Sequence, residues 1–228
     1  MKRVVVAIDG PAGAGKSTIA RRVADKLGFL YLDTGAMYRA VALWALRAGV
    51  SLDDMHRLEQ LALEADISFD ATGRTVMLNG EDVTVAVREP EVSSAASKVA
   101  AVPGVRRAMV VKQRAMAESS SVVMEGRDIG SVVFPNAGVK IFLDADSATR
   151  IQRRAGELAA RDGEANTGQV AREMEERDKR DRGRAEAPLV QAPDAVYIDS
   201  TGLTVDDVEQ AVLKIVRDRT SNGKEVAR

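Results

Sequence analysis

Val4-Val5-Val6-Ala7-Ile8-Asp9-Gly10-Pro11-Ala12-Gly13-Ala14-Gly15-Lys16-Ser17-Thr18 is the stretch on which the fold turns. Val4 to Ile8 is a continuous, mostly β-branched run that stops at Asp9-Gly10, the pattern of a parallel strand buried on both faces. Beyond the glycines, Ser17 to Leu27 carries apolar residues at Ile19, Ala20, Val23, Ala24 and Leu27, the period of an amphipathic helix, and Gly28 is placed to end it. Between strand and helix, Gly10 to Ser17 fits G-x-x-x-x-G-K-[ST]. Glycines there let successive backbone N–H groups turn inward around phosphate oxygens, and the helix N-terminus adds the positive end of its dipole. Lys16 can reach β/γ phosphates, and the Ser17 hydroxyl can ligate Mg²⁺. Gly10, Pro11, Ala12, Gly13, Ala14, Gly15, Lys16, Ser17 and Thr18 are thus the candidate cradle for the phosphates of ATP.

Working outward, Phe29 to Leu32 reads as a second strand and Ala36 to Ala48 as a second helix closed by Gly49. Trp44, inside that helix, reads as core. The α/β rhythm then breaks. Ile67 to Phe69, Thr75 to Leu78 and Val83-Thr84 are short strands with an Asn79-Gly80 turn among them, which predicts an inserted antiparallel subdomain over about residues 66–90. Helical sequence resumes from Glu91 to Glu118, interrupted near Pro103-Gly104. Ser121 to Met124 and Lys140 to Leu143 follow as core strands, each followed by an acidic residue, Glu125 and Asp144. Ser147 to Arg161 and Gln169 to Arg182 are charged helices, and Val196 to Ile198 with a helix after Thr204 closes the chain.

Composition narrows the chemistry. Of 228 residues 45% are apolar, enough for a proper core, and 33 basic side chains nearly balance 34 acidic ones. That balance leaves no net field to gather nucleic acid or a membrane surface, so any basic site is local. No cysteine is present and His56 is the only histidine, which removes thiolate chemistry and leaves hard, oxygen-bound metals such as Mg²⁺. The apolar run after Met1-Lys2-Arg3 is too brief for a secretory segment, and no run approaches the ~18 apolar residues of a membrane span. A cytoplasmic enzyme is the expected placement.

A phosphate cradle alone is shared by switches, ATPases and small-molecule kinases. Three further motifs discriminate: Leu32-Asp33-Thr34-Gly35-Ala36-Met37-Tyr38-Arg39, Glu125-Gly126-Arg127-Asp128-Ile129-Gly130, and Glu176-Arg177-Asp178-Lys179-Arg180-Asp181-Arg182. With the cradle, in this order and spacing, they resemble the bacterial cytidylate kinase family, over nearly the whole chain up to about Ser221. The resemblance implies an α/β P-loop fold with a parallel core sheet, a helical lid and a small inserted antiparallel sheet in the region that binds the nucleoside monophosphate. It implies core at 1–33, an acceptor region at 34–118, core at 119–146, lid and acceptor helices at 147–184, core at 185–220, and a tail at 221–228. The implied reaction is Mg²⁺-assisted transfer from ATP to CMP or dCMP; chain length and a self-contained core predict a monomer.

The resemblance also implies roles. Arg39 and Arg127 would clamp the acceptor phosphate, a task suited to a planar, bidentate guanidinium. Asp128, Arg106 and Ser97 would read cytosine, whose exocyclic amine needs a carboxylate and whose acceptors need donors; Thr34 would line the same pocket. Arg177, Asp181 and Arg184, at i, i+4 and i+7, share a helical face if the helix runs past Gly183, and would meet the ribose and base; the same spacing is also that of a solvated ion-pair ladder. Arg150, Arg153 and Arg154 resemble lid arginines closing over ATP, with Arg153 and Arg154 the catalytic candidates. Glu125 with Ser17 would hold Mg²⁺, although many relatives carry Asp there, and Asp144 is a rival. A monophosphate acceptor, with a second pKa of about 6, is already ionised and needs no general base. A kinase for a small alcohol would instead need Asp33 or Asp128 as base. A guanine-reading switch would need N-K-x-D, which is missing.

Overall fold

The computed structural model describes residues 3–221. Strand β1 (Val5–Asp9) leads through the glycine-rich loop into helix α1 (Lys16–Leu27), which ends at Gly28 in the left-handed region, and then into β2 (Leu30–Asp33). The five-stranded sheet is completed by β6 (Val122–Gly126), β7 (Val139–Asp144) and β8 (Val196–Asp199), in the order β2-β6-β1-β7-β8 with every neighbouring pair parallel. Such a sheet needs helices on both faces. On one face α1 and α8 (Val205–Ser221) bury Val6, Ile8, Ile19, Val23, Val212 and Val216 together. On the other, Ala7, Leu32, Val122 and Met124 meet Ile129 and Val133. Asp9, Asp33, Gly126 and Asp144 are the last residues of four of these strands. They gather at the carboxyl edge, where open α/β sheets bind ligands.

Helices α2 (Thr34–Arg47), α3 (Met55–Glu64), α4 (Pro90–Val99) and α5 (Pro103–Met116) form a second unit with the antiparallel sheet β3 (Ile67–Phe69), β4 (Val76–Leu78) and β5 (Glu81–Asp82). Their apolar side chains share one cluster running from Ala36 to Met109, and Trp44 packs against its edge. Gly73 fastens the antiparallel sheet to the core, because a side chain there would overlap the Tyr31 carbonyl. The charged pair α6 (Ser147–Asp162) and α7 (Thr167–Arg182) pack on one another beyond β7.

Three local readings need correction. The third antiparallel strand is Glu81–Asp82 rather than Val83-Thr84. Asn79 and Gly80 both have positive φ, so the two-residue turn sets Leu78 opposite Glu81 and pairing begins at once, while the Thr84 hydroxyl accepts from the Val76 N–H where the ladder gives out. Helix α7 ends at Arg182, with the Gly183 N–H closing its last turn on the Lys179 carbonyl, so Arg184 is not on the helix. Helix α3, unassigned from sequence, starts where the Asp54 carboxylate accepts from the Arg57 N–H and buries Leu58, Leu61 and Ala62. The predicted tail at 221–228 falls outside the described residues except for Ser221.

Candidate active site

The cradle is shaped by close approaches of backbone to backbone. Gly10 has φ 149°, and a methyl group on it would overlap the Leu143 carbonyl of β7. Gly13, at φ 74°, lies so close to the Arg150 carbonyl that a Cβ would stand 2.7 Å from it. Arg150 braces this turn from outside: it donates to the Ala12 carbonyl at 3.0 Å and pairs with Asp178 at 2.7 Å. Helix α1 begins at Gly15 with no side-chain cap and no acid in its first turn, so its first N–H groups are left for an anion. Ala12, Gly13, Gly15, Lys16, Ser17 and Thr18 line the resulting cavity. Gly10, Pro11 and Ala14, also expected in the cradle, do not line it.

Lys16 folds over the loop and donates to the Pro11 carbonyl at 2.7 Å. Burial, reinforced by the Arg127 charge, lowers its pKa to about 7 against the opposing pull of Glu125 and Asp9, and a bound phosphate would favour its charged form. Across the cavity Glu125 is buried and accepts from the Tyr31 hydroxyl at 2.6 Å. Burial and then the neighbouring Asp33 raise its pKa above the ordinary value. Ser17, Asp33 and Glu125 all line this cavity. Asp144 does not: it lies 3.8 Å from Arg150 and faces a separate cleft with Asp178.

A second cavity opens beside the first. All nine residues expected to hold an acceptor line it: Thr34, Arg39, Ser97, Arg106, Arg127, Asp128, Arg177, Asp181 and Arg184. They come from α2, α4, α5, α7 and the chain that leaves β6 and α7. Arg106 and Asp128 form a buried ion pair, and the Arg106 guanidinium lies 5.6 Å from the centre of the Tyr38 ring. Asp181 accepts from Arg127 at 2.9 Å and also pairs with Arg184, which the loop after Gly183 returns to it. Burial opposes these charges, yet Asp181 holds the Arg127 pKa above its ordinary value, and the surrounding arginines hold Asp181 below its own. Among the described residues Arg177 forms no ion pair, and burial followed by repulsion from Arg127 lowers it to about 9 against the attraction of Asp181.

Five arginines against two aspartates leave this cavity strongly positive. The Ser97 hydroxyl and Nε of Arg39, Arg106, Arg177 and Arg184 are buried without a hydrogen-bond partner. Unsatisfied buried donors are costly, and an oxygen-rich ligand would satisfy them. Thr34 is already committed in part, its hydroxyl donating to the Glu125 carbonyl at 2.7 Å. Gly35, Arg39, Gly126, Arg127 and Arg177 line both cavities, so the two chambers share a wall.

The arginines expected in a lid divide. Arg154 lines the cradle cavity beside Glu157, whereas Arg153 donates to the Ser200 hydroxyl at 2.9 Å and carbonyl at 2.8 Å. Arg150, expected with them, holds the Ala12 carbonyl and Asp178. Three contributors escaped the sequence: Asp9, Tyr31 and the Asp33–Arg39 pair at 2.8 Å. Asp9 was visible only as the acid ending the first strand, and nothing in its spacing pointed to its partners.

The family model described as cytidylate kinase matches residues 6–218. The chain belongs to the cytidylate kinase family. It is similar to a cytidylate kinase of Solibacter usitatus (strain Ellin6076), 63% identical over 98% of this chain and 97% of the relative. It is also similar to the cytidylate kinases of Pelotomaculum thermopropionicum, 52% identical over 96% of each chain, and Syntrophotalea carbinolica, 48% identical over 96% and 94%. Among solved structures, a gluconokinase from Sinorhizobium meliloti aligns over 100% of both chains with a TM-score of 0.51 and 13% identity, a likeness of fold.

Proposed function

We propose that this member of the cytidylate kinase family transfers the γ-phosphoryl group of ATP to CMP and dCMP, with the nucleotides lying end to end across the shared wall. The observation that carries the reading is that wall: Arg39, Arg127 and Arg177 face the cradle and the acceptor chamber at once. The transferred group must pass between the two chambers, and guanidinium groups there neutralise charge as it moves. Lys16 binds donor phosphates. Arg39 and Arg127 hold the acceptor phosphate in line, and Asp128, Arg106 and Ser97 read the base, with Arg184 and Asp181 ordering the clamp. Arg154, and Arg153 on release from Ser200, close over the donor.

The donors fit Mg²⁺. Ser17 and Glu125, with Asp33 beside them, offer hard oxygens on the cradle cavity, and Mg²⁺ commonly keeps water and substrate phosphates for its remaining positions. When bound, the ion would neutralise and orient the donor phosphates. A base acting on an alcohol is not what the site offers, since Asp33 and Asp128 are each held by an arginine. The regions 34–118 and 147–184 then serve as acceptor-binding unit and lid on a monomer that works in the cytoplasm. Among the described residues no helix is long and apolar enough to cross a membrane.

Turnover on CMP, dCMP, UMP, AMP and a sugar alcohol tests the reading. CMP and dCMP should lead, and Arg127→Ala should lower kcat/KM for CMP about 100-fold or more, the loss of a bidentate charged contact and its orientation. No phosphorylation of any pyrimidine monophosphate would refute it.

A further inference from the structure

Asp9 stands at the end of β1, one residue before the cradle, and is only 5% exposed. Its Oδ1 accepts from the Ile129 N–H at 2.8 Å and its Oδ2 from the Gly130 N–H at 2.7 Å. Those two amides open the π-helical turn Ile129–Val133, which directly follows Asp128. An aspartate before a helical turn ordinarily caps that turn with its own carboxylate. Asp128 does not: its side chain makes no capping bond and pairs with Arg106 in the acceptor chamber. The cap comes from Asp9, across the sheet, which frees Asp128 to face the ligand. Gly130 allows the approach, because a Cβ there would stand 3.3 Å from Asp9 Oδ2 and 3.2 Å from the Lys140 side chain.

We infer that Asp9 is a positioning residue for acceptor recognition, a substitute cap whose two hydrogen bonds fix the Arg127-Asp128 segment and so tie base discrimination to the strand that carries the donor cradle. Asp9 touches neither nucleotide. Its effect runs through the backbone of residues 127–130, and loss of it lets Asp128 fall back toward its own turn and away from Arg106. The inference rests on the proposed acceptor reading.

The test compares wild type with Asp9→Asn, which keeps the shape but replaces one acceptor oxygen by an amide that faces an N–H. In the variant KM for CMP should rise about 10-fold and the preference for CMP over UMP should fall by a similar factor, the scale of a lost buried charged hydrogen bond, with KM for ATP nearly constant. A merely structural role would lower thermal stability and kcat while leaving the CMP to UMP ratio alone, and that result overturns the inference. If Asp9→Asn does not fold, Gly130→Ala carries the test, since it pushes on the same carboxylate without removing it; the CMP preference should again fall, and an unchanged ratio overturns the inference. Wild type run in the same panel separates the two claims. If it ignores CMP, the function fails; if it prefers CMP and the variant does too, only Asp9 fails.

Discussion

The donor cradle and the acceptor chamber share a wall, yet they are made in opposite ways. The cradle is one contiguous loop whose shape comes from backbone: Gly10 against Leu143, Gly13 against Arg150, and an uncapped helix N-terminus. The chamber is made of side chains drawn from five places in the chain and held by ion pairs such as Arg106–Asp128 and Arg127–Asp181. A backbone-built site asks its side chains for little, so most of its function falls on Lys16. A side-chain lattice spreads function over many residues, each buffered by its neighbours. Lys16→Met should therefore have the largest effect, lowering kcat about 1000-fold or more, because the arginines on the same cavity approach from the shared wall and the lid side and not from within the loop. Thermal unfolding of that variant should be unchanged or improved, since burial already works against the Lys16 charge. A loss of activity matched by a loss of stability would break the contrast.

The same difference governs what could be read in advance. Glycines at fixed spacing between an apolar strand and an amphipathic helix leave few conformations open, so the cradle, β1 and α1 were legible from residues alone. The acceptor residues Ser97, Arg106, Asp128 and Asp181 carry no mutual spacing; they were named through resemblance, and only the folded chain shows them on one cavity. Arg184 shared a helical face only if the helix ran past Gly183; the helix ends at Arg182, and Arg184 reaches Asp181 through a loop instead. Asp9 and Tyr31 looked like strand residues because their partners, Ile129, Gly130 and Glu125, lie about a hundred positions away. Helix α3 has a cap and an apolar period but little length, and its identity depends on packing against α5.

Asp9 joins the two regions, and pH sharpens what that junction costs. Burial raises its pKa from 3.8 to about 6, outweighing the Gly130 and Ile129 hydrogen bonds; Asp128 adds to the rise, Lys16 opposes it, and Lys140 flanks Gly130 from β7. A raised carboxyl pKa contributes stability that is fully present below the unfolded value and is lost as pH rises through about 6. Relative to Asp9→Asn, which does not titrate, the wild type should thus lose about 3 kcal/mol of unfolding free energy between pH 4 and pH 7, from roughly 2 units at 1.36 kcal/mol each. Denaturant unfolding of both proteins across that range measures it. A flat difference would mean that the carboxylate is not buried at the junction.

The smallest expected effect belongs to Tyr31, on the donor side. Its hydroxyl donates to Glu125 Oε1 at 2.6 Å, and both groups are buried. Tyr31→Phe keeps the ring, and with it the Arg21 guanidinium 5.2 Å from the ring centre, so packing is retained and only the hydroxyl is lost. That leaves one buried carboxylate oxygen without its donor, at a cost of about 1–3 kcal/mol in stability. Glu125 would then hold its orientation less firmly, and the Mg²⁺ concentration for half-maximal rate should rise a few-fold, while KM for CMP stays put because Tyr31 does not line the acceptor chamber. A change in KM for CMP larger than the change in Mg²⁺ requirement would show that the two chambers are coupled through Glu125 as well as through Asp9, and that the wall between them is less rigid than its arginines suggest.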